Sequence, residues 1–133
     1  MAGLLTHLTI ALVGFLIGTF AFKNYRYGLA FAIGHLIPDL TDFGLAGIKQ
    51  GSLDPGVIMT NPAFHPLSVF SHSPLTWILM ALLFLLLMGL LYRFNKIKKS
   101  NFMTGVVCVI FFIIGVAIHL TIDHLINEVS YWI

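Results

Sequence analysis

Four long apolar stretches alternate with short polar clusters along this chain. The first runs from about Leu4 to Phe22 and ends at Lys23-Asn24-Tyr25-Arg26. The second starts near Tyr27, stays apolar to Ile37, is interrupted by Pro38-Asp39 and resumes through Leu40 to Ile48. The third covers Ser73 to Tyr92, and the fourth about Phe102 to His124 with an extension toward Val129. Runs of about 20 apolar residues predict helices that cross a bilayer. The expected fold is all-α: a polytopic membrane protein built as a single four-helix transmembrane bundle. From about Lys49 to Ser71 the turn signals Gly51, Asp54-Pro55-Gly56 and Asn61-Pro62 predict a connecting loop. Up to Pro38 the second stretch holds about 12 residues, roughly 18 Å of helix against a hydrocarbon core of about 30 Å. It must tilt, stop short, or continue past the proline. Ser73-Pro74 suits the N-cap and first position of a helix, so the third helix should start immediately after His72.

Composition agrees with the pattern. Of 133 residues, 59% are hydrophobic and only 9% charged, against roughly 25% charged in soluble proteins. The chain lacks the polar surface to face water all round. A net charge of +2, with no basic stripe interleaved with aromatics, gives no reason to expect nucleic acid. The only cysteine, Cys108, lies in an apolar run and reads as a small buried hydrophobe. No basic residue precedes the first apolar run, so that run is expected to be a permanent span and not a cleaved leader. Gly14 with Gly18, and Ala30 with Gly34, are small-xxx-small pairs that let helices approach at backbone distance. Tyr131-Trp132 suits an interfacial aromatic anchor.

Charge sets the topology. Lys23 and Arg26 separate the first two stretches; Arg93, Lys96, Lys98 and Lys99 separate the last two. In an antiparallel bundle both clusters fall on one side, cytoplasmic by the positive-inside rule, which places both termini outside an inner membrane. Only Lys49 disagrees. Counting about 1.5 Å per residue from the basic turns puts His7, Asp39, His72 and His119 roughly 20–31 Å away, in one layer at the outer end.

Ionisable side chains at membrane depth are costly and mark function by default. His119 and Asp123 are four apart, on one helix face, either as an interhelical hydrogen-bonded pair or as two ligands of one cation. His124 and Glu128 repeat the spacing about 100° round the helix and read as a solvated end. Asp39 and Asp42 beside His35 are less comfortable as helix caps than as cation ligands. The expected metal ligands are His7, Asp39, His72, His119 and Asp123. Asp42 is expected as a further ligand or as the catalytic base. His35, His65 and His124 would support the ligands from behind, although His65, in a loop, also reads as a surface histidine. Ser73 and the helix N-terminus after His72 would hold a substrate anion. Mixed histidine and carboxylate donors favour Zn2+, with Mn2+ or Fe2+ as alternatives.

These residues resemble a known family. Thr6-His7, Pro38-Asp39 with Asp42, His72-Ser73, and His119 with Asp123 follow the order and approximate spacing of the YdjM-like small inner-membrane metal-dependent hydrolases. That family is in turn similar in ligand pattern to zinc-dependent phospholipase C. The resemblance implies hydrolysis of a phosphoester of a lipid or lipid-linked substrate, with membrane lipid as partner. One departure is visible: Pro38-Asp39-Leu40-Thr41-Asp42 stands where the family has Pro-Asp-x-Asp-His, which counts against a complete two-metal site. Two other readings stay open. One is a non-catalytic subunit of a larger membrane complex or homo-oligomer, with a structural or vestigial site; the other is a transporter or haem-binding redox subunit.

Overall fold

The computed structural model describes residues 4–52 and 54–125, and all its regular elements are helical. They are α1 (Leu4–Ala21), α2 (Tyr25–Asp39), a π-helical segment (Leu40–Gly44), α3 (Leu45–Gln50), α4 (Pro55–Met59), α5 (Phe64–Ser71), α6 (Pro74–Arg93) and α7 (Lys99–Leu125). Three helices are long and apolar enough to cross a membrane: Tyr25–Gln50, Pro74–Arg93 and Lys99–Leu125. The expected fourth span, α1, is apolar but shorter. Tyr131, Trp132, Val129 and Glu128 lie outside the described residues.

Of the outcomes open to the second stretch, continuation past the proline is the one adopted. Pro38 has no N–H to donate and crowds the preceding turn. The chain absorbs this by winding Leu40–Gly44 as a π-helix before resuming as α3. Thr41 Oγ1 donates to the Ile37 carbonyl at 2.8 Å across the join. π-helical turns of this kind are rare and recur at functional sites. Here the segment carries Asp42, with Asp39 just before it.

The expected loop between residues 49 and 71 is largely helical. Phe64, Leu67, Ser68 and Ser71 fall at helical spacing, and α5 turns Ser68 and Ser71 inward. Phe64 packs on Phe43 of the π segment with ring centroids 5.1 Å apart. The turn signals at Asn61-Pro62 are real, but they start a helix.

α2 packs against both α1 and α7, and α6 packs against α7. Glycines set the spacing. A Cβ on Gly18 would lie 2.8 Å from Cα of Gly28. One on Gly28 would strike the Phe15 carbonyl, one on Gly34 the Phe112 carbonyl, and one on Gly115 the Phe31 carbonyl. So α1 touches α2, and α2 touches α7, at backbone distance. By contrast α6 buries only Trp77. Leu82, Leu83, Leu86 and Leu87 on that helix are all exposed, as suits a helix facing lipid.

Candidate metal centre

The topology carries the ends of four helices to one place. His7 lies in the first turns of α1, Asp39 at the end of α2, His72 just before α6, and His119 and Asp123 near the end of α7. His7, His35, Asp42, His72, His119 and Asp123 are all buried, and Asp39 is half-buried. For so many ionisable groups to be shut from water together, they must compensate one another or hold a counter-charge.

Four of them offer donor atoms to a common point. Asp39, His72, His119 and Asp123 each present one nitrogen or oxygen, and these four atoms lie within 4.8 Å of one another. Asp123 Oδ2 is 3.0 Å from His119 Nε2 and 3.3 Å from His72 Nε2. Asp39 Oδ1 is 3.5 Å from His119 Nε2 and 3.9 Å from His72 Nε2. Ligands about 2.0–2.1 Å from a tetrahedral zinc stand about 3.3 Å from each other. The four spacings bracket that value, so the residues could hold a divalent cation.

The polar accounting points the same way. His119 Nδ1 and Nε2, Asp123 Oδ1 and Asp42 Oδ2 are buried and make no hydrogen bond among the described residues. His119 Nε2 and Asp123 Oδ2 are 3.0 Å apart, so they face each other closely without hydrogen-bond alignment. Buried polar atoms left unbonded are costly in a dry interior. A cation between them removes that cost.

The two α7 ligands owe their shared face to the four-residue spacing read from the sequence. His72 is positioned by three separate contacts. Ser71 Oγ donates to the Ser68 carbonyl at 3.2 Å, leaving its lone pairs for His72 Nδ1 at 3.0 Å. Asp42 Oδ2 lies 3.3 Å from the same Nδ1. Trp77 Nε1 donates to the Ser71 carbonyl at 2.6 Å, tying α6 to the end of α5. With an Nδ1 proton directed to Ser71 Oγ, beside the Asp42 carboxylate, His72 keeps the Nε2 lone pair for the donor cluster, the arrangement typical of a metal-ligating histidine. His72 lies outside the long apolar helices. Burial disfavours its cation, but hydrogen bonding to Asp123 and the charges of Asp42, Asp123 and Asp39 outweigh this and raise its proton affinity above the usual histidine value.

The remaining expected residues fall in different places. Asp42 stands behind His72 and is not among the four converging donors. His7 Nε2 is 3.0 Å from Asp123 Oδ1, and its ring centroid is 4.4 Å from that of His119. His35 sits beside them: His7, His35 and His119 form a second group with donor atoms within 4.8 Å. Ser73 is half-buried at the start of α6, and its side chain does not cap that helix. His65, in the first turn of α5, and His124, near the end of α7, are exposed. Sequence reasoning did not single out Ser71, Trp77 or the Gly115 carbonyl, which accepts from His35. The only available signal was that Ser71 precedes His72 and Trp77 follows it within about a turn.

No family model, curated protein or solved structure matches the chain.

Proposed function

We propose that the protein is a four-span inner-membrane hydrolase that uses one divalent cation, Zn2+ by donor type, to cleave a phosphoester of a lipid or lipid-linked substrate at the outer leaflet. The observation that carries this reading is the donor cluster itself: two imidazoles and two carboxylates, brought from α2, the α5–α6 junction and α7, at ligand spacing. A divalent cation held there would polarise a phosphoryl oxygen and acidify water. Asp39 is the open side of the cluster, with its side chain 24% exposed against 8% or less for the other three donors. Substrate and water would enter past it. The charge of Asp42, 3.3 Å from His72 Nδ1, favours the tautomer that leaves Nε2 free. The N-terminus of α6, with the unengaged Ser73 hydroxyl, supplies N–H groups for a phosphate beside His72. The resemblance to YdjM-like hydrolases supports the same chemistry. The basic residues Lys23, Arg26, Arg93, Lys96, Lys98 and Lys99 lie at the opposite end of the bundle, which favours placing the cluster and both termini outside the cytoplasm.

One observation favours a second reading. Four protein donors are enough to complete a tetrahedral zinc, as in structural sites, whereas catalytic sites keep a position open. The cluster would then be a clamp holding α2, α5–α6 and α7 together, in a subunit of a larger assembly. Zn2+-loaded protein in lipid bilayer discs, offered short-chain phospholipids and a lipid-linked diphosphate, separates the two. The hydrolase reading expects phosphate-ester cleavage that disappears in Asp39→Ala. Stoichiometric zinc with no cleavage of either substrate would favour the clamp.

A further inference from the structure

His7 differs from the four donors in how it is held. Its Nδ1 lies 3.3 Å from His35 Nε2, and His35 Nδ1 lies 3.3 Å from the Gly115 carbonyl. A backbone carbonyl only accepts, so His35 Nδ1 must carry a proton and donate it there. His35 is fully buried, and such a site disfavours the doubly protonated cation. Its Nε2 is therefore a bare acceptor. His7 must in turn place its own proton on Nδ1 and donate to that acceptor. In neutral His7 the Nε2 is then a lone pair, and it faces Asp123 Oδ1 at 3.0 Å. Two lone pairs do not face each other at this distance in a dry site without a positive charge between or beside them.

We propose that His35 is a positioning residue, clamped to α7 through the Gly115 carbonyl, that fixes the tautomer of His7 and so presents His7 Nε2 to the cation bound by Asp123. The inference rests on the metal reading of the site and adds His7, which stands outside the four converging donors and meets them through Asp123. Histidine takes here the role that carboxylates or carbonyls usually play behind metal-bound imidazoles. The packing explains why the clamp reaches. Gly34 and Gly115 allow α2 and α7 to meet at backbone distance, and a Cβ on Gly115 would lie 2.8 Å from the backbone nitrogen of His35. Only that close crossing brings an α7 carbonyl to a ring carried on α2. Phe31, one turn earlier on α2, stacks almost parallel to the His35 ring, with centroids 6.1 Å apart and planes 4° from parallel. Both faces of the relay are thus set by α2 and α7, and α1 contributes only His7.

The test uses the full-length protein in detergent, labelled with nitrogen-15 at histidine, and Zn2+ as the probe. Nitrogen shifts of the Zn2+-loaded wild type should show His7 protonated at Nδ1 and carrying no proton at Nε2. His35→Phe should lose this preference and bind Zn2+ about 10–100-fold more weakly. His35→Gln can accept from His7 through its carbonyl oxygen and donate to Gly115 through its amide, so it should recover most of the affinity and keep the tautomer. A merely structural role would not move the His7 nitrogen shifts or be rescued by glutamine. If His35→Phe fails to fold, the wild-type tautomer and His35→Gln still decide. A Zn2+-loaded wild type with His7 protonated at Nε2 would overturn the inference, as would unchanged Zn2+ affinity in a folded His35→Phe. Wild-type protein that takes up no Zn2+ would overturn the metal reading and this inference with it.

Discussion

The two halves of the helix bundle are held together by different physics. Toward the basic end, Gly18 and Gly28 let α1 and α2 touch at the backbone, and no ionisable side chain is buried between them. Toward the other end α1 and α2, with the π segment, the α5–α6 junction and α7, gather four histidines and three aspartates. Apolar packing gives the first half a fixed spacing with no chemistry. In the second half the helix ends repel or attract according to protonation and bound charge. Lipid tails are as apolar as leucine, so hydrophobicity alone does not drive helices together in a bilayer. The polar end therefore needs its own adhesive, and a cation shared by three separate segments of chain would supply it.

That contrast can be broken or sharpened by experiment. The largest expected effect is at the polar end. Stripping metal with a chelator should lower unfolding stability by about 4 kcal/mol relative to protein held at 1,000 times its metal dissociation constant, read from thermal unfolding in detergent. Equal stability with and without chelator would remove the cation from the account of the fold. Next comes the apolar end: Gly28→Ala drives a Cβ into the Phe15 carbonyl and should cost about 1–3 kcal/mol while leaving metal stoichiometry intact. Loss of metal in that variant would mean the halves are coupled and not separate. A smaller effect follows from His72. Its raised proton affinity means that protons already compete with metal near neutral pH, and binding must release them. Metal affinity should therefore rise with pH, by up to about tenfold per unit, and level off above the range where His72 titrates. A flat profile in a metal titration would exclude His72 as a ligand. The smallest effect belongs to the lipid-facing helix: Leu86→Ala, at a position 59% exposed, should change stability by no more than about 0.5 kcal/mol.

Much of this was legible in the chain. His119 and Asp123 declared themselves by spacing, because a helix turns a four-residue interval into a shared face. His72 was marked by Ser73-Pro74, and Asp39 by the proline before it. Height along each helix was enough to place their ends in one layer. What was not legible depends on how the backbone repairs itself. Pro38 signals an interruption, but nothing local says whether the chain stops, tilts or rewinds as a π-helix; the outcome puts Asp42 behind His72. The helix from Phe64 to Ser71 was hidden by strong turn signals on its N-terminal side, and with it went the role of Ser71. His35 was expected to support a ligand from behind, but its anchor was unreadable because it is a carbonyl 80 residues away, reached only when two glycines let α2 and α7 close. Sequence shows which groups need partners, and packing decides which partners they find.

The central claim is that residues from distant stretches of chain share one cation. Elemental analysis of protein purified without chelator, wild type beside His119→Ala and Asp39→Ala, tests it most directly. The account predicts stoichiometric divalent metal in the wild type and its loss in both variants with helical content preserved. Equal metal in all three samples, or none in any, would contradict it.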